Sequence, residues 1–189
     1  MNQFTGEKIQ EAENGSKVIV TYKFGKKDGI TKFYDKNGTV LSEIEYKNDE
    51  IHGALKQYYQ TGNLLAILHY ENGLQNGSFT SFYESGIKQV DASYKDGKFH
   101  GKFFMYDEFG DVINECLYID GIKHGKNILY YPKSQNGGIF EVSEYKNGLL
   151  DGDKVSFYPT GEVMTITPYR DGKPQEYTKT YSQDGELIK

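Results

Sequence analysis

Residues 70–86 read YENGLQNGSFTSFYESG. A tyrosine opens the stretch, glycines stand at Gly73, Gly77 and Gly86, and Phe82 lies between the last two. Glycine reaches the positive φ values that tight chain reversals need. The segments between such reversals, for example Ala54–Tyr59 and Asn63–Tyr70, span about seven residues, enough for a strand and too few for a typical helix. They are rich in Tyr, Phe, Ile, Val and Thr, side chains that suit a pleated surface. The stretch therefore predicts a β-hairpin with two reversals per unit, a short one such as Gln60-Thr61-Gly62 and a longer one over Glu71–Gly77.

The same pattern runs outward in both directions. Tyr22, Tyr46, Tyr70, Tyr94, Tyr118, Tyr145 and Tyr169 follow one another at intervals of 24, 24, 24, 24, 27 and 24 residues. Three residues after the tyrosine stand Gly25, Gly73, Gly97, Gly121, Gly148 and Gly172, with Asp49 as the exception. Four further on come Gly29, Gly53, Gly77, Gly101, Gly125 and Gly152, with Glu176 as the exception. Then follow the aromatics Tyr34, Tyr58, Phe82, Tyr106, Tyr130, Phe157 and Tyr181, and a last glycine, as at Gly86. The one long unit carries its extra residues around Ser134–Gly138, where a turn falls. This divides the chain into a degenerate unit over 1–21 and seven repeats over 22–45, 46–69, 70–93, 94–117, 118–144, 145–168 and 169–189. Short connections imply antiparallel neighbours. The expected fold is all-β: an elongated single-layer antiparallel meander of hairpins, an open solenoid of about fourteen strands.

In the second strand of each unit one parity is small or apolar and ends on the tyrosine, as in Val40, Ser42, Ile44, Tyr46 and in Leu64, Ala66, Leu68, Tyr70. The other parity holds Glu43, Glu45, Asp91 and Glu115. A sheet with one better-buried face shows this alternation. With so little central core, stability rests on packing between neighbouring units.

Composition closes off several functions. The net charge is -5, and the 22 basic residues include a single arginine, Arg170. A polyanion meets no attracting field, and bidentate phosphate or guanine recognition leans on arginine, so nucleic acid is excluded as a partner. No basic cluster recruits acidic lipid, which disfavours a membrane partner. Cys116 is the one cysteine, which excludes an internal disulfide and a cysteine-based metal site. The opening MNQFTGEKIQEAENGSK does not read as a signal peptide, so the expected location is the cytoplasm if Met1 is the natural start, and outside the cell if a leader was removed.

The pattern of tyrosine, glycine, glycine, aromatic and glycine, with His-Gly at His52-Gly53, His100-Gly101 and His124-Gly125, resembles the MORN repeat. It is most similar to the bacterial variant of that repeat found in the YwqK-like antitoxin family. The resemblance covers about residues 22–189. It implies a non-catalytic protein–protein interaction module, in one form a neutraliser of a toxin protein. The alternative it implies is a MORN scaffold at a membrane or cell surface, an adhesion accessory or lipid binder.

No residue stands out as catalytic. The three histidines of the His-Gly pairs share one repeat position, which points to turn geometry, and His100 and His124 belong to adjacent units too far apart to share a zinc ion. The acidic-glycine pairs, such as Asp96-Gly97, offer one carboxylate each and read as turns. The expectation is no enzyme, no cofactor and no metal. Aromatics outside the repeat pattern are the better binding candidates: Phe79, Tyr83, Phe103, Phe104, Tyr59 and Tyr131, with Phe140 and Tyr158 beside them. Tyrosine gives large contact area with few rotamers to freeze. Edge pairing at the last strand, Gly185–Lys189, giving a homodimer, is the competing location.

Overall fold

The computed structural model describes residues 3–175 and 177–189. Glu176, which takes a consensus glycine's place, lies outside the described residues. The strands in chain order are β1 (Gly6–Glu11), β2 (Lys17–Lys23), β3 (Lys26–Tyr34), β4 (Val40–Lys47), β5 (Glu50–Tyr58), β6 (Leu64–Glu71), β7 (Leu74–Phe82), β8 (Lys88–Lys95) and β9 (Lys98–Phe99). There follow β10 (Gly101–Tyr106), β11 (Val112–Ile119), β12 (Ile122–Tyr130), β13 (Ile139–Lys146), β14 (Leu149–Leu150), β15 (Gly152–Phe157), β16 (Val163–Arg170), β17 (Lys173–Pro174) and β18 (Lys179–Thr180). One turn of 3₁₀ helix, Lys133–Gln135, occupies the insertion of the long repeat.

The contacts divide the chain into two compact units, residues up to Lys88 with Ser93–Lys98, and Gln89–Ala92 with Phe99–Lys189. Within the first, β1 to β7 pair antiparallel, each with the next. Within the second, β10 pairs with β11, β11 with β12, β12 with β13, β13 with β15 and β15 with β16. Both are open antiparallel meanders of hairpins. The 18 strands among the described residues exceed fourteen because the segment up to Tyr22 supplies both β1 and β2, and because three rungs are each broken in two: β9 from β10, β14 from β15, and β17 from β18. The expected last strand, Gly185–Lys189, is not among them.

The longer reversal differs from the expectation. Glu71–Gly77 is not one loop: β6 ends at Glu71, Asn72 and Gly73 form the whole turn with φ of 50° and 80°, and β7 begins at Leu74. Two successive positive φ values make the primed turn that matches strand twist. Gly77 is instead a residue of a β-bulge inside β7, where Gln75 pairs with Tyr70 and Phe79 with Leu68. A Cβ at Gly77 would lie 3.3 Å from His69 Cβ, because the preceding strand's side chain folds over the bulge. At Gly53 the same place is filled by Glu45.

Two sets of hydrogen bonds join each repeat to its neighbours. The turn amide reaches back to a carbonyl of the preceding repeat: Gly73 N–H to Ile51 at 2.9 Å, Gly97 to Gln75 at 2.8 Å, Gly121 to Phe99 at 2.7 Å and Gly148 to Lys123 at 2.9 Å. On the opposite rim, the Tyr59, Tyr131 and Tyr158 hydroxyls donate forward to the carbonyls of Phe82, Phe157 and Tyr181, each at 2.8 Å. Where this position holds Asp35, Asp107 or Ser182, the side chain instead accepts amides of its own loop. At the far end Gly185–Lys189 forms no full strand. Leu187 makes one bridge with Tyr181, and Lys189 O and Ile188 N–H bond to Thr180.

Candidate functional site

Alternation along each strand defines a tyrosine face and an opposite face. All nine buried residues among those described lie on the tyrosine face: Val20, Thr31, Ala66, Ser81, Ala92, Cys116, Asn127, Ser143 and Ser156. They are mostly small, because side chains of neighbouring strands close over them.

In the first unit the central row of the tyrosine face runs Val20, Thr31, Ile44, Leu55, Leu68, Phe79 across paired strands. The row directly behind it runs Ile19, Lys32, Glu43, Lys56, Ile67, Thr80. Lys32 Nζ is 2.8 Å from Glu43 Oε1, and the Tyr58 hydroxyl donates to the other Glu43 oxygen at 2.9 Å. The hydrogen bond from Lys32 holds the Glu43 carboxyl below its ordinary range. Burial, and then the bond to Glu43, push the Tyr58 hydroxyl up to about 12.

The second unit exchanges the two characters. Its tyrosine face is a polar ladder: Asn114 donates to Asn127 Oδ1 at 3.0 Å, Lys123 Nζ donates to the same oxygen at 3.0 Å, and Asn127 donates to Ser143 Oγ at 3.5 Å. Further along, Lys154 Nζ pairs with Glu141 at 2.9 Å, Ser156 bonds to Thr165, and Thr167 to Thr178 at 2.8 Å. The opposite face carries Asp91, Phe104, Glu115, Ile128, Val142, Val155, Ile166 and Lys179 in register. Ile128, Val142, Val155 and Ile166 are half-buried neighbours, and within this unit no second layer packs above them among the described residues.

At one end of this apolar row is an open hollow of about 270 Å³. Phe104, Leu117 and Ile128 line it with Cys116 and Glu115, and Lys102 and Lys126 stand at its margin. Both lysines are exposed, and neither side chain makes an ion pair or hydrogen bond among the described residues. The Tyr130 hydroxyl is raised by burial and then by its bond to the Glu115 carboxylate. Burial also pushes the Cys116 thiol up, which leaves it a poor nucleophile.

The sequence candidates do not converge. Phe103 and Phe104 are consecutive, so the pleat sends them to opposite faces. Phe103 packs on the tyrosine face against Phe99 at 5.6 Å and Tyr118 at 5.7 Å. Phe79 does the same against Tyr94 at 6.0 Å. Tyr59 and Tyr131 are occupied in the forward hydrogen bonds, and Tyr131 also meets Phe140 edge-on at 5.1 Å. Tyr83 holds the same repeat position as Tyr59. Of the named aromatics, Phe104 lines the hollow.

The histidines sit against turns and strands. His52 Nδ1 faces the Asn72 amide of the next repeat at 3.5 Å, His100 Nδ1 lies 3.2 Å from Asp120, and His69 lies 3.0 Å from Ser78 Oγ. Among the described residues no group of three or more His, Cys, Asp or Glu is placed to hold a metal ion.

Residues missed by sequence reasoning are Ile128, Val142, Val155 and Ile166, together with the exposed Ile119, Ile122 and Leu149 near the primed turns. Phasing every repeat on its tyrosine gives the missing signal. Ile119 and Ile122 stand where the first repeats have Lys23 and Lys26, and Ile128 and Val155 where they have Lys32 and Lys56.

Comparison with known proteins agrees with this register. Residues 27–48, 51–72, 75–96 and 99–120 each match the MORN repeat variant. The units after residue 120 keep the same hairpin geometry outside the matched stretch. No curated protein matches significantly. A porin-like protein from Bacteroides uniformis is similar at 12% identity over 91% of this chain and 92% of that one, with a TM-score of 0.24, too low to inform the fold or its use.

Proposed function

We propose that this MORN-repeat chain is a non-catalytic protein-binding module that works through the face opposite the tyrosines in its second unit. The observation that carries the reading is the uncovered row Ile128, Val142, Val155, Ile166. Each apolar side chain removed from water contributes about 25 cal/mol per Å². In the first unit the middle of the matching row is Lys32, Glu43 and Lys56, between Ile19 and Ile67, so the repeat pattern itself accepts charges where the second unit has a continuous apolar run. Antitoxin-like masking of a toxin's working surface is the form of this function that the repeat variant suggests.

Replacing Ile128→Lys, Val142→Glu and Val155→Lys copies the first unit's row into the second and should preserve the fold. Immobilised native chain is expected to retain a partner from extracts of its own cells, and the triple variant to lose it while its circular dichroism stays unchanged. A partner retained equally by both would place binding elsewhere. Retention of no partner by the native chain would overturn the reading.

A further inference from the structure

Resting on that reading, we infer that the hollow beside Phe104 is a docking socket for one apolar side chain carried on an acidic protein segment, with Lys102 and Lys126 as the clamps for its carboxylates. The volume limits the occupant. Small-molecule clefts run from roughly 300 to 1,000 Å³ and close around the ligand. An open hollow of about 270 Å³ takes one or two side chains. Its lining of Phe104, Leu117 and Ile128 rewards an apolar group, and an aromatic floor with a charged margin has the arrangement of an interface hot spot.

Charge decides what carries that group. Lys102 and Lys126 hold the same position in successive repeats, so they stand about 10 Å apart, two strand spacings. Both are exposed and unpaired among the described residues, in a chain whose net charge is -5. The one carboxylate lining the hollow is Glu115, against two lysines, so the hollow carries a net positive charge. On an extended segment alternate side chains share a face, so two acids placed two residues either side of the apolar one stand about 13 Å apart, within reach of two long lysine side chains about 10 Å apart. A segment of the form acid, any, apolar, any, acid therefore fits. Its carboxylates give orientation and rate of encounter, while the apolar side chain gives affinity.

The test uses random 12-residue peptides displayed on phage and selected against the full chain. Enriched peptides are then synthesised with a fluorophore and titrated by anisotropy. The expected consensus is an apolar residue flanked by Asp or Glu. Affinity should fall about tenfold or more for Phe104→Ala and for Lys102→Glu with Lys126→Glu. Lys102→Gln with Lys126→Gln should lose less and flatten the salt dependence. The lysine variants are at exposed positions, so they report even if Phe104→Ala weakens the fold.

Peptides without acidic enrichment, peptides indifferent to these variants, or no enrichment at all would overturn the socket. Each of these leaves the wider protein-binding reading to the extract experiment, where the Ile128, Val142, Val155 variant decides it. Flotation with phosphatidylserine vesicles that is lost in the double Glu variant would overturn the acidic segment in favour of a lipid surface. A concentration-dependent dimer lost on Phe104→Ala would overturn it in favour of a second copy of the chain.

Discussion

The two units are built from one repeat and dressed in opposite ways. In the first, aliphatic and aromatic groups line the central row of the tyrosine face, and Lys32, Glu43 and Lys56 stand between Ile19 and Ile67 behind it; in the second, beyond the cluster of Phe99, Phe103 and Tyr118, amides, hydroxyls and an ion pair line the tyrosine face and an aliphatic run lines its back. A globular domain could not do this, because its apolar groups must meet in one place. A solenoid can, since each hairpin has only to satisfy the next. The tyrosine ring, the turn glycines and the bulge glycine set the backbone, and the central rows are left free to follow use. The first unit therefore shows what the repeat needs, and the departures of the second mark the face proposed to meet a partner.

The largest effect expected is at Phe79→Asp, which sets a carboxylate in the apolar row beside Leu68 and the Tyr94 ring. Urea denaturation should show a loss of about 3 kcal/mol or more. Asn127→Leu probes the second unit's answer to the same row. It removes the oxygen that accepts from Asn114 and Lys123 and the amide that donates to Ser143, leaving Asn114 only its bond to the Ile128 carbonyl, and a loss of about 1–3 kcal/mol is expected by the same measurement. If Asn127→Leu instead stabilised the chain, the polar ladder would not be a packing device, and the contrast between the units would need another cause.

The forward hydrogen bonds sharpen the comparison at smaller scale. Tyr59→Phe and Tyr131→Phe each remove one hydroxyl and keep the ring, so each should cost about 0.5–1.5 kcal/mol of stability and leave partner affinity unchanged. Affinity lost with stability intact would restore both residues to the binding surface.

The smallest effect is a titration. The Tyr58 hydroxyl is raised from 10.0 to about 12 in the folded chain. A group whose folded value is raised holds its full contribution below the unfolded value and loses it as pH climbs through the folded one. The first unit should therefore weaken between pH 10 and about 12. Tyrosinate absorbance near 295 nm should show a late-titrating residue that Tyr58→Phe removes. A single step near pH 10 for every tyrosine would deny the bond to Glu43.

The period, the hairpins, the antiparallel order and the better-buried face were legible because they repeat, and repetition separates constraint from accident. What stayed hidden has physical reasons. Gly73 and Gly77 look alike in sequence and both have a positive φ, yet one closes a turn and the other makes room for the side chain that lies over a bulge. Tyr59 reads as a spare aromatic until its hydroxyl is seen against Phe82 O, a contact made with the following repeat. Phe103 and Phe104 read as a pair although the pleat must part them, a fact available from the sequence and overlooked by treating neighbours in the chain as neighbours in space. The apolar row was missed because its members lie in successive repeats, and only a column-by-column reading aligns them.

The turn amides give the chain a direction in time. Gly73 finds its acceptor at Ile51, Gly97 at Gln75 and Gly121 at Phe99, always in polypeptide that the ribosome has already made. A growing chain can thus close each turn onto a finished row, in the way knitting adds a stitch to the course below it. The forward bond from Tyr59 waits for the next row, so the newest hairpin stays unlatched until its successor emerges. Synthesis and folding can then advance at one pace, with a single incomplete repeat at the growing end.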